Sequence, residues 1–188
     1  MSYQLSAVIA DIELLREQTA ELDHAVLGEL RQDFALLPVT PQLVEELTGA
    51  LPDYSVEERD DEYPFDLVLG TALTAILARW SGRGPVAYVE AKFAGGLGYQ
   101  SAAVWLGGAL SWGPRLDRTL DSPRAGWPIN AALVELGVEP GPWIDAFAEV
   151  GLHLERNTDG WLAHGRRRLS ADYWDELADA WEKEQSGR

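Results

Sequence analysis

Hydrophobic positions along this chain follow a strand period in some stretches and a helix period in others, and glycines and prolines mark the changes. The stretch that organises the rest is 86–112, VAYVEAKFAGGLGYQSAAVWLGGALSW. It reads as three short strands joined by Gly95-Gly96 and Gly107-Gly108, since a glycine pair between apolar runs suits a two-residue hairpin turn with positive φ at both central positions. Pairing across the second turn sets Leu106 against Ala109, Trp105 against Leu110, Val104 against Ser111 and Ala103 against Trp112. One face of this ribbon then carries Ser101, Ala103, Trp105, Leu110 and Trp112, and the other Gln100, Ala102, Val104 and Leu106.

Residues 3–10 (YQLSAVIA) predict a first strand, with Asp11 as N-cap of a helix through about Leu22. A second strand is expected over 34–39, with an earlier start around Val26 as the alternative. Thr40-Pro41 opens a helix, a capping hydroxyl followed by a proline whose missing N–H costs nothing in the first turn. Leu43, Val44, Leu47 and Leu51 form its apolar stripe. Pro64 begins the most hydrophobic helix, in which Phe65, Val68, Leu69, Ala72, Leu73, Ile76 and Trp80 recur at helical spacing. Residues 113–127 read as irregular. Short helices are expected over 128–136 and 142–150, stopped by Gly137 and Gly151. Asn157-Thr158-Asp159-Gly160 reads as a turn closing a small hairpin between 152–155 and 161–163. Ser170 caps a last helix bearing Trp174, Leu177, Ala178 and Trp181, which makes 170–188 a C-terminal helix and tail. Strands and helices do not alternate strictly, so the fold expected is α+β: one domain over 1–188, with a mostly antiparallel sheet built on the 86–112 ribbon and packed by helices.

Composition changes the picture in three ways. At 188 residues and 46% hydrophobic, the chain can bury a core of its own. It has no cysteine, which rules out disulfides, thiolate catalysis, Cys-ligated zinc and iron–sulfur clusters. The formal net charge is −16, a field that repels nucleic acid and anionic membranes and steers basic partners. Thirteen of the fifteen basic residues are arginine, a bias that a GC-rich genome also produces. The opening MSYQLSAVIADIELL lacks a basic n-region and meets Asp11 and Glu13 early, so no secretory signal is expected. The apolar run 67–78 is too short to span a bilayer, and a cytoplasmic location follows as the expectation.

Chemistry is sparse. Residues 53–66 carry seven carboxylates and one arginine without apolar period, an exposed loop whose acids lack the glycine and the Asp-x-Asp alternation of a calcium loop. Asp60, Asp61 and Glu62 at its centre are better suited to a basic partner. Gly96-Leu97-Gly98 begins like a dinucleotide fingerprint, but a strand follows where the phosphate would need a helix N-terminus. His24, His153 and His164 show no metal-ligand spacing, although the last two flank the 157–160 turn and would meet if a hairpin formed there. Neither a metal nor a cofactor is expected. Arg166-Arg167-Arg168, the one basic run, is more suited to pairing with acidic segments of the chain than to binding phosphate. Glu90 stands out, mid-strand on the face of Tyr88 and Lys92. A buried carboxylate there needs a partner, whereas a Glu90–Lys92 pair on a half-solvated face is the plainer reading. Tyr99 and Gln100, at the mouth of the same ribbon, would complete a polar cluster with Glu90.

Three motifs, YxLSAVIA over 3–10, YVEAxFxGGxGxQxAxVW over 88–105 and INxALxxLGV over 129–138, resemble those of small cytoplasmic proteins of GC-rich bacteria. That resemblance covers most of the chain and implies no activity or site. The reading favoured by the residues themselves is a non-enzymatic, acidic protein-binding domain, immunity-like or antitoxin-like, that neutralises a basic effector. Its partner-binding residues would be Asp60, Asp61, Glu62, Trp174 and Trp181, since carboxylates steer and tryptophans anchor. The alternative is a small hydrolase or transferase centred on Glu90 with Tyr99 and Gln100. A homo-oligomer formed through the final helix is the third class.

Overall fold

A computed structural model describes residues 2–52, 65, 71–94 and 97–167. Six strands form one antiparallel sheet: β1 (Ser2–Asp11), β2 (Gly28–Glu29), β3 (Phe34–Pro38), β4 (Val86–Ala94), β5 (Leu97–Leu106) and β6 (Ala109–Asp117), in the order β2-β3-β1-β4-β5-β6. Helices cover both faces, and the fold is α+β as expected. The helices α1 (Ile12–Thr19), α2 (Pro41–Thr48) and α3 (Thr71–Trp80) bury Leu15, Leu43, Leu77 and Trp80 against Val8, Leu37, Tyr88, Ala103 and Trp105. On the other face α4 (Pro128–Leu136), the short α5 (Ala146–Glu149) and α6 (Thr158–Arg166) pack Ile129, Leu133, Phe147 and Trp161 against Leu5, Ile9, Val89 and Val104. The alternation along each strand therefore feeds two cores, one on each side of the sheet. Among the described residues, no helix is long and apolar enough to cross a membrane.

Local signals placed most elements. Asp11 Oδ1 accepts from the N–H groups of Glu13 (2.9 Å) and Leu14 (3.1 Å), and Thr40 Oγ1 from that of Leu43 (3.2 Å) ahead of Pro41 at the first helical position. The α1 helix stops at Thr19, short of Leu22. The α2 helix stops at Thr48, leaving Leu51 exposed beyond it. The Gly107-Gly108 turn takes positive φ at both residues (63° and 87°), as its hairpin requires. Ala94 pairs with Leu97; Gly95-Gly96, expected as the first turn, lies outside the described residues.

Four expectations need correction. Across the 107–108 turn the first two pairs are as read, but Trp112, not Ser111, lies opposite Val104. Ser111 is bulged, its hydroxyl donating to the Val104 carbonyl (3.1 Å), and the slip carries Trp112 to the core beneath α4. Second, 113–117 is not irregular but continues β6. Proline is tolerated on this edge strand, and Gly113 has φ +79° where a Cβ would sit 2.7 Å from the Ala102 carbonyl oxygen. Third, the 142–150 helix shrinks to α5, because the extended Asp145 caps it through the Ala148 N–H (2.9 Å).

Fourth, 157–160 is no hairpin turn. Asn157 Oδ1 accepts from the Gly160 N–H (2.6 Å) as the N-cap of α6, and burial of Trp161 decides between two roles that asparagine fills equally well. The α6 helix lies close on the β2 segment because each side of the contact presents a glycine, Gly165 on the helix and Gly28 on the strand. A Cβ at Gly28 would sit 2.7 Å from the Trp161 ring, and one at Gly165 would sit 2.5 Å from the Leu27 carbonyl oxygen and 2.7 Å from Val26 Cγ1. Gly165→Ala should therefore lower stability by about 1–3 kcal/mol in urea titration, although alanine is the better helix former. Unchanged or raised stability would show that α6 can shift away freely.

Candidate functional site

The polar residues singled out on the ribbon divide between the two faces of the sheet. On the α3 side, Glu90 is 1% exposed and its Oε1 accepts from the Tyr88 hydroxyl at 2.7 Å. Register places Ser101 of β5 and Ser6 of β1 opposite Glu90, and Tyr99 opposite Lys92. Tyr99 and Ser101 are buried, and the Phe65 ring meets that of Tyr88 edge-on at 5.0 Å. The half-solvated Glu90–Lys92 pair is thus corrected: Lys92 is exposed, Glu90 is not, and the carboxylate is held by a phenol two residues away. Such a pair can hold or pass a proton.

Gln100 is corrected as well. It lies on the other face, 3% exposed, with Oε1 accepting from the Ile129 N–H (3.1 Å). It satisfies an otherwise open donor in the first turn of α4, and the sheet separates it from Glu90. Glu90 and Tyr99 share a face; Gln100 has a structural role.

His153 and His164 do not meet across a hairpin. His164 is buried on α6, its ring 5.0 Å from that of Trp161 and its Nδ1 3.6 Å from Glu155 Oε1, while the ring of His153 lies 5.0 Å from that of Trp143. Among the described residues no cluster of three His, Cys, Asp or Glu is placed to hold a metal ion. Arg166 lines an open cleft with Arg16, which is bridged to Glu13 and Glu29. Asp60, Asp61, Glu62, Arg168, Trp174, Trp181 and the helix expected from Ser170 lie outside the described residues.

A second region was not singled out in the sequence. Between α4 and α5 the chain runs through Gly137, Val138, Glu139, Pro140, Gly141, Pro142, Trp143 and Ile144 to the cap Asp145. With Val134 of α4 (61% exposed), Trp143 (41%) and Ile144 (77%) give this region an apolar surface. Polar side chains fasten the loop from behind, Asn130 and Glu149 buried and Gln32 exposed. The Gln32 amide both accepts from the Glu139 N–H (2.8 Å) and donates to the Glu139 carbonyl (3.0 Å). Glu149 accepts from the Trp143 N–H (3.2 Å) and from Gln32 Nε2 (3.4 Å), and Asn130 Oδ1 from the Phe147 N–H (2.7 Å). A Cβ at Gly141 would overlap the Glu149 carboxylate, so a side chain there would push that carboxylate from its place behind the loop. The Arg31 guanidinium lies 5.1 Å from the centre of the Trp143 ring and donates to the Ala148 carbonyl. The available signal was a Pro-Gly-Pro stretch leading to two large apolar residues with no periodicity behind them.

No protein-family model, curated protein or solved structure matches the chain.

Proposed function

We propose that this chain is an acidic, cytoplasmic protein-binding domain that neutralises a basic effector, in the manner of an immunity protein or antitoxin. The observation that carries the reading is its charge: 31 acidic against 15 basic residues, a formal −16 on 188 residues. A field of that size raises the encounter rate with a cationic protein and opposes binding to nucleic acid or anionic lipid. Seven of the carboxylates fall within 53–66, where Asp60, Asp61 and Glu62 are consecutive.

The test identifies the products of the neighbouring genes and measures, by stopped flow, the association rate with any basic protein among them. That rate should fall at least tenfold between low salt and about 0.5 M, as steering is screened over a Debye length. Neutralising Asp60, Asp61 and Glu62 together should lower the low-salt rate several-fold and flatten the salt dependence. A rate indifferent to salt and to the triple substitution would overturn the reading.

A further inference from the structure

We propose that the 137–146 loop and the exposed edge of α4 form the docking surface for the partner, and that the surface takes a segment in which Lys or Arg flank an aliphatic side chain. The inference rests on the binding function proposed above and locates it. Three observations converge on it.

The first is preorganisation. Loops that carry exposed Trp and Ile pay in hydration for the apolar area they show. Here the backbone carrying them is fixed by Gln32, Asn130 and Glu149, each from a different part of the chain. A rigid loop loses little conformational entropy on binding, so more of the contact energy appears as affinity. Trp143 is held in place by Arg31 and His153 rather than buried, which leaves an anchor residue 41% exposed.

The second is size. Val134, Val138, Pro140, Trp143, Ile144 and Ala146 line a groove of about 180 Å³. Small-molecule and cofactor sites run to roughly 300–1,000 Å³, so this groove has room for a side chain or two and not for a cofactor.

The third is charge. From 131 to 149 the chain has four carboxylates, Glu135, Glu139, Asp145 and Glu149, and no basic residue. Glu135 and Glu139 are exposed beside the groove. Of the cations that reach it from elsewhere, Arg31 sits on the Trp143 ring and Arg124 lies 4.0 Å from Asp145. The rim is thus negative, and a second copy of this chain would bring the same negative rim to a two-fold contact. A basic partner fits, and its aliphatic side chain fills the groove.

Charge and groove act on different rate constants: long-range steering sets the on-rate, and desolvated anchors set the off-rate. The experiment uses two synthetic peptides of equal charge, one alternating Arg and Leu, the other Arg and Gly, in kinetic binding assays with the full chain. The Arg-Leu peptide should bind about tenfold more tightly through a slower off-rate. Ile144→Ser and Val134→Ser, both at exposed positions where melting should be unchanged, should each bring it toward the Arg-Gly value. Equal affinities, untouched by either substitution, would overturn the docking surface, yet if both peptides weakened with salt the charge reading would stand. An Ile144-dependent affinity without salt dependence would sink the charge reading and keep the groove. A dimer in sedimentation velocity that Ile144→Ser dissolves would also overturn the proposal, because the occupant would then be a second copy.

Discussion

Trp80→Ala should cost about 3–5 kcal/mol of folding stability, the largest loss expected from any single truncation on the α3 side of the sheet. Trp80 is 1% exposed at the end of α3, in the core shared with Leu15, Leu37, Tyr88 and Trp105. Nearly all of its area leaves water on folding, and the close-packed surroundings can collapse only in part around the space an alanine would leave. For a chain of this length such a loss lowers Tm by on the order of 10 °C. Trp80→Phe keeps most of the volume and should lose clearly less. Differential scanning calorimetry decides the matter. A fall of under 1 kcal/mol for the alanine variant would mean that the α3 layer is not bound tightly to the sheet.

Trp80 also shows why much of this fold was legible. It follows Leu73, Ile76 and Leu77 at helical spacing, and that stripe is buried in the structure. The capping residues Asp11 and Thr40 and the Gly107-Gly108 turn were readable for the same reason: each works through atoms within a few positions of itself. The failures share a different cause. The bulge at Ser111 depends on how β6 lies along β5, and the α6 start at Asn157 depends on a core for Trp161 that comes from distant strands. Neither is written within a short window.

The candidate sites divide along the same line. Glu90 stands out because a carboxylate interrupts an apolar strand, but the plainer reading of that pattern, a half-solvated pair with Lys92, fails because the face is buried and Tyr88 supplies the partner. Gln100 does not belong with it, because the strand's own alternation sends Tyr99 and Gln100 to opposite faces. The Trp143–Ile144 surface has no periodicity to expose it. Its distinguishing feature is the fastening by Gln32, Asn130 and Glu149, residues up to 117 positions apart in the chain.

Glu90 separates the binding reading from the enzymatic one. Glu90→Ala removes the acceptor of a buried 2.7 Å hydrogen bond from Tyr88, and should cost about 1–3 kcal/mol for that loss alone, with the emptied volume adding to it. Glu90→Gln keeps an oxygen that can accept from the same hydroxyl at nearly the same size, so its cost should be well under that of alanine. In a binding protein the on-rate and off-rate for a basic partner should then be the same for Glu90→Gln as for the parent chain, because the residue lies on a covered strand and presents nothing to the partner. In an enzyme the amide would be fatal in another way: it cannot take or give the proton that a carboxyl exchanges, so turnover would vanish while the melting curve held. Stability and partner kinetics measured side by side on the alanine and glutamine variants separate the two. We expect alanine to unfold more readily, glutamine to behave as the parent, and partner binding to follow the fold alone. A folded Glu90→Gln protein that had lost a measurable turnover would move the function of this chain from its acidic surface to the interior of its sheet.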